Sequence, residues 1–140
     1  MTTKQVKQWL SRARWINVEI RDLHRKESEA RDRLTKITQS YESDGVQMTK
    51  DPHKFDRLVE YQSLIAEKLS EQARVKTEIL AVIYKVKYTE WRLILMARYF
   101  DMKTWEQIAH EMNYSVMSIT RKHGYALQEV QKLIGGKEIK

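Results

Sequence analysis

Hydrophobic residues at the start of the chain recur at alternating steps of three and four. Val6, Trp9, Ala13, Ile16, Ile20, Leu23, Ala30, Leu34, Ile37 and Tyr41 keep this period, and Glu27 is the polar residue on the stripe. A helix with apolar side chains at that spacing presents a coiled-coil seam, here about five heptads long. Glu27 marks either a splayed position or a polar pair with Gln72 or Lys68. The residues between are mostly charged, among them Arg21, Asp22, Arg25, Lys26, Arg31, Asp32 and Arg33, as a solvated face requires. The period is lost across Glu42–Lys50, where turn residues collect. Asp51-Pro52 then has the form of an N-cap followed by proline at the first helical position. The second predicted helix runs to about Tyr84. Its stripe of Phe55, Leu58, Ile65, Leu69, Ile79 and Ile83 is flanked by Val59, Ala66, Ala73 and Leu80 and interrupted by Gln62, Gln72 and Lys76. This broader face predicts an antiparallel partner in the same chain plus a second contact. Residues 1–84 are therefore expected to form a long antiparallel helical hairpin that oligomerises or binds a partner. Two such helices bury little alone, so association between chains is expected, with a dimer as the favoured homo-oligomer.

The pattern changes after Lys85-Val86-Lys87-Tyr88, which has the look of a hinge. Thr89 is placed to cap a third helix over 90–100, with Leu93, Ile94, Met96 and Ala97 inside. Asp101-Met102-Lys103 is too short for anything but a turn. Thr104-Trp105-Glu106-Gln107 is a capping box opening a short helix to about Met112. Asn113-Tyr114 turns the chain, Ser115 caps again, and a last helix runs to Leu133 or Ile134 before Gly135-Gly136. Three helices with a tight turn between the last two are the elements of a helix-turn-helix, here over 89–134. Trp105, Ile108, Ala109 and Met112 would face Ile119, Ala126 and Val130, with Leu127 adjoining. Glu106, Gln107 and His110 are left free for solvent or phosphate. The outward start of the last helix then carries Val116, Met117, Ser118, Thr120 and Arg121 as base-reading candidates. Arg121 suits a bidentate contact to guanine, and Thr120, Val116 and Met117 suit a thymine methyl. Arg92, Arg98, Lys103, Lys122 and His123 are candidates for phosphate contacts, as is Ser115 with the free N–H groups around it. Gly124, in mid-helix, costs roughly 1 kcal/mol relative to alanine and is expected to permit close packing or a bend.

Arg92-Leu93-Ile94-Leu95-Met96-Ala97-Arg98-Tyr99-Phe100, then Thr104 to Ala109, Tyr114-Ser115, Ile119 and Ala126-Leu127, resemble region four of the major sigma factors. They resemble more closely the ArpU and RinA type of phage late-gene transcription regulators. The resemblance covers about the last 50 residues. It implies a DNA-binding activator of phage or prophage operons that acts in the bacterial cytoplasm and has no catalysis of its own. Two departures stand out. The sigma pattern usually has glycine in the first turn, where this chain has Asp101-Met102-Lys103, and only Arg121 among the positions matching base readers is charged.

Composition narrows the remaining classes. Only four glycines and one proline in 140 residues exclude the frequent turns of a sheet protein, so the chain is expected to be all-α. A net charge of +7 favours a polyanion, and double-stranded DNA is the expected partner, with RNA polymerase as a second. No apolar run is long enough for a membrane span, so no membrane association is expected. The absence of cysteine excludes disulfides and thiolate metal sites and fits a cytoplasmic location. The four histidines are dispersed, and no phosphate-cradling glycine loop, nucleophile elbow or HExxH motif is present. Neither metal, cofactor nor enzymatic activity is expected. Two other classes fit the same elements: a phage small-terminase-like packaging component, and an adaptor that binds polymerase without touching DNA. Trp15, off the seam, is expected to pack within the chain or a dimer.

Overall fold

A computed structural model describes residues 1–44, 53 and 55–135, without the side chains of 37–44. Every regular element among them is helical, as composition predicted: α1 (Thr3–Leu10), α2 (Arg12–Asp44), α3 (Asp56–Ile83), α4 (Thr89–Tyr99), α5 (Trp105–Met112) and α6 (Val116–Gly135). The predicted loop starts later than expected, because α2 continues through Asp44. The rest of that loop, the Asp51-Pro52 start and Gly136 lie outside the described residues. Among the described residues no helix is long and apolar enough to cross a membrane.

The chain divides into two compact units, one of Met1–Trp15 with Gln72–Lys140 and the other of Ile16–Glu71. This differs from the expected division at 84/89. The difference begins at Ser11, where the long first helix is interrupted. The Ser11 hydroxyl donates to the Lys7 carbonyl at 2.7 Å, which is also the acceptor of the Ser11 N–H. Such back-bonding competes with the regular ladder and bends helices. The short piece before it, α1, opens on a capping box in which Thr2 Oγ1 accepts from Gln5 N–H and Gln5 Oε1 accepts from Thr2 N–H. Val6 and Leu10 of α1 are fully buried, and α1 packs on α6. The first heptads thus belong to the core of the terminal helices.

In that unit α6 touches α1, α4 and α5, and α4 touches α5. Ile94, Ile108, Ala109 and Ile119 are buried together, with Ala97, Trp105 and Met112 packed against them. Ile79 and Ile83 at the end of α3 are fully buried, and so are Val86 and Leu95. Leu93, expected inside, is 54% exposed. The link after α3 is fastened at several points. Val86 is buried, its carbonyl accepts from Arg92 at 2.7 Å, and the Lys87 N–H donates to Glu129 at 2.9 Å. The hinge expectation for 85–88 gives way to a pinned connection. Tyr88 stands at the N-cap of α4 with no side-chain cap, and Thr89, expected there, is the first helical residue.

In the 16–71 unit, Ile16, Ile20, Ala30 and Ile65 are buried. Lys68 Nζ pairs with Glu19 at 2.9 Å and Gln62 Nε2 donates to Glu27 at 3.5 Å. The earlier position on α2 is thus paired with the later one on α3. Glu27 therefore meets Gln62, and it also pairs with Arg31 at 2.7 Å. Phe55, Val59 and Leu69, read as seam or near-seam residues, are exposed.

Candidate nucleic-acid interface

The α4–α5 turn begins the site. Met102 sits in the left-handed region at φ 54°, the conformation glycine adopts freely. It lets the Lys103 N–H return to the Ala97 carbonyl at 3.0 Å. Thr104 then starts α5 with the predicted capping box, Thr104 Oγ1 accepting from Gln107 N–H and Gln107 Oε1 from Thr104 N–H. α5 ends at Asn113, also left-handed at φ 59°, whose N–H returns to the α5 carbonyls while Tyr114 N–H reaches the Ala109 carbonyl. Ser115 caps α6 by accepting from the Ser118 N–H at 3.1 Å. Two residues, Asn113 and Tyr114, thus reverse the chain between α5 and the cap of α6.

The buried face of α6 is Ile119, His123, Ala126, Leu127, Val130 and Ile134. Helical spacing turns the base-reading candidates away from it. Val116, Met117, Thr120 and Arg121 are exposed, Met117 at 72%, and Ser118 is half-buried. The Arg121 side chain makes no ion pair or hydrogen bond among the described residues. The Thr120 hydroxyl donates to the Met117 carbonyl at 3.0 Å.

The phosphate candidates fare differently. Arg92 is spent on the Val86 carbonyl and on Thr89 Oγ1, at 2.7 and 2.8 Å. Arg98 stacks on Trp105 at 4.2 Å and donates to the Lys103 carbonyl at 3.2 Å. Lys103 pairs with Glu111 at 2.8 Å, which raises the Lys103 pKa. Lys122 lies 2.9 Å from Glu90 Oε2 and over the Tyr114 ring, while Tyr114 Oη donates to Glu90 Oε1 at 2.5 Å. The Tyr114 hydroxyl and then the Lys122 ammonium hold the Glu90 carboxyl below its ordinary pKa. The exposed start of α6 is therefore less basic than its sequence suggests.

His123 corrects the sequence reading. Expected to face outward toward phosphate, it is 6% exposed, hydrogen-bonded through Nε2 to the Tyr99 hydroxyl at 2.8 Å. Trp105 meets its ring edge-on at 4.6 Å. Burial, with Lys7 and Arg98 nearby, lowers its pKa to about 4, and burial raises that of Tyr99 to about 12. Both groups are neutral at pH 7.

Sequence reading missed a cleft of about 500 Å³ lined by Lys7, Arg14 and Arg98 together with Thr3, Ser11 and Thr120, and with no acidic residue on its walls. Its signal was present, since Thr3, Lys7, Ser11 and Arg14 follow at steps of four, four and three along one helical stripe. Gly124 also lines it, and a Cβ built there meets nothing within 4 Å, so close packing does not explain that glycine. Among the described residues no group of His, Asp and Glu is arranged to hold a metal ion. Compared with known proteins, the chain matches no family model, no curated protein and no solved structure.

Proposed function

We propose that this chain is a sequence-specific DNA-binding regulator of transcription, of the phage or prophage type its last 50 or so residues resemble. α5 and α6 serve as its helix-turn-helix and α6 as the helix that enters the major groove. The observation that carries this reading is the face of α6 just after its cap. Val116, Met117, Thr120 and Arg121 project from a helix start fixed by the Asn113 turn, the Ser115 cap and the core of Ile94, Ile108, Ala109 and Ile119. A recognition helix presents its first turns to base edges from a rigid support of this kind. The charge of +7 supplies the non-specific attraction. α2 and α3 form the hairpin, and the exposed Val59 and Leu69 on α3 support association of chains through it.

Fluorescence anisotropy of the full chain against DNA fragments from around its own gene, across a salt series, tests the reading. One fragment is expected to bind at least about 10³-fold more tightly than random duplex. Arg121→Ala is expected to weaken that fragment more than random DNA. Equal, weak binding to every fragment would refute sequence-specific recognition. It would favour the second reading, a polymerase-binding adaptor, which the exposed apolar pair Val116 and Met117 supports. Co-elution with RNA polymerase without DNA would then be expected.

A further inference from the structure

The basic cleft lies beside the exposed start of α6, and Thr120 belongs to both. Three cations converge on it from separate elements: Lys7 near the end of α1, Arg14 just after the Ser11 interruption, and Arg98 from α4. Unlike Lys103 and Lys122, none of the three is ion-paired to a carboxylate among the described residues. Like charges gathered without a counter-charge repel one another, and a structure that gathers them gains when an anion enters. Arg98 is already oriented, its guanidinium over the Trp105 ring and one nitrogen on the Lys103 carbonyl. A guanidinium has five N–H donors, so others stay available to an oxyanion. Thr3, Ser11 and Thr120 line the same walls, and since the Ser11 and Thr120 hydroxyls already donate to the Lys7 and Met117 carbonyls, Thr3 is the hydroxyl left to donate. The His123 ring also lines the cleft, neutral and nine-tenths buried, and its one hydrogen bond among the described residues is at Nε2. Exposed cations and a fixed guanidinium without carboxylates are the chemistry that holds a phosphodiester, which takes charge-assisted hydrogen bonds from such groups.

We propose that the cleft formed by Lys7, Arg14 and Arg98 grips a phosphate of the DNA backbone beside the groove that α6 enters. The N-terminal helix is then part of the DNA-binding surface and sets the register of α6 on the duplex. This inference rests on the DNA-binding reading above and extends it to residues outside the helix-turn-helix. Thr120 at the shared edge makes the backbone strand next to the read bases the natural occupant.

The test uses the full chain and a fluorescein-labelled 30-base-pair duplex, with affinity measured across a salt series. Lys7→Gln/Arg14→Gln removes two exposed cleft cations and leaves the structural Arg98 in place. Arg33→Gln/Lys36→Gln, on exposed positions of α2, is the charge-matched control. Each lost phosphate contact lowers the slope of log affinity against log salt by about 0.9. The cleft variant is expected to lose about 0.9 from the slope and at least about tenfold in affinity at 0.15 M salt, and the control to keep the wild-type slope. An unchanged slope in the cleft variant, with Arg121→Ala still weakening binding, overturns the proposal and leaves the function standing. No DNA binding by wild-type protein overturns both. A parallel melt with pyrophosphate separates the other source of the same chemistry. If pyrophosphate raises the Tm of wild-type protein but not of the cleft variant, while DNA binding is the same in both, the site serves a small phosphorylated ligand and the backbone assignment fails.

Discussion

Burying His123 makes the stability of the terminal unit depend on pH in a defined window. Its folded pKa is lowered to about 4 by burial, reinforced by Lys7 and Arg98. An exposed imidazole in the unfolded chain titrates near 6.5. Above that value both states are neutral and the group is indifferent to pH. Between 6.5 and 4 the unfolded chain takes up a proton that the folded chain refuses, so stability falls as pH falls, by about 1.36 kcal/mol per unit. The loss comes to about 2 kcal/mol between pH 7 and pH 5 and about 3 kcal/mol by pH 4, a large share of the 5–15 kcal/mol typical of a domain. His123→Gln is the informative variant, because the amide still bonds the Tyr99 hydroxyl and does not titrate in this range. All four tryptophans, at 9, 15, 91 and 105, lie in the unit of Met1–Trp15 with Gln72–Lys140. Denaturant unfolding followed by tryptophan emission therefore reports on the unit that contains His123. Wild-type protein is expected to lose about 2 kcal/mol more than His123→Gln on going from pH 7 to pH 5. Glu90, held below its ordinary value, adds its own loss only at lower pH. Parallel losses in the two proteins would refute the buried, neutral state of His123.

Two backbone substitutions test the local conformations around the site. Met102→Gly relieves a left-handed residue that costs an L side chain roughly 1–2 kcal/mol, offset by the greater freedom of glycine in the unfolded chain. A net gain of up to about 1 kcal/mol in unfolding free energy is expected, and a loss would mean that the half-buried methionine side chain outweighs the strain. Gly124→Ala adds a Cβ that meets open space within a helix, so a gain of about 1 kcal/mol and a Tm higher by roughly 4–8 °C are expected. A lower Tm would show that the glycine serves the helix rather than the cleft it lines.

What was legible in the sequence was whatever is decided within about one helical turn. The capping box at Thr104 and Gln107, the cap at Ser115 and the turn at Asn113 were read in place, because each is a bond between residues one to five apart. The box at Thr2 and Gln5 has the same form, yet it was passed over inside the long seam. Partners across the fold were not legible. His123 follows Ile119 by four and precedes Leu127 by four, a spacing that points to the buried face, yet it was assigned outward to phosphate. Only the polarity of imidazole argued otherwise, and the partner that satisfies it, Tyr99, is 24 residues away. Glu90 and Lys122, 32 apart, are likewise invisible to spacing. The seam itself was traced correctly through Val6, Ala13 and Ile20, yet not what covers it: α1 turns aside at Ser11 to pack on α6.

These long-range pairings change the electrostatic picture of the candidate interface. Counting lysines and arginines along α4 to α6 gives a strongly basic surface, but Lys103 and Lys122 are ion-paired, and Arg92 and Arg98 are engaged by carbonyls. Arg121 is then the cation left on the exposed start of α6 without a partner among the described residues. With those two lysines neutralised, the surface would bind duplex more weakly by counterion release than its sequence suggests. If the chain reads DNA, positive charge from outside the three terminal helices would strengthen its grip. The cleft cations Lys7 and Arg14 lie beside the start of α6. Attaching α1 to the terminal unit accordingly has a consequence beyond stability. Residues 89–134 cut out on their own would lose Lys7 and Arg14 together with Val6, Leu10, Ile79 and Ile83, which are buried in the same unit.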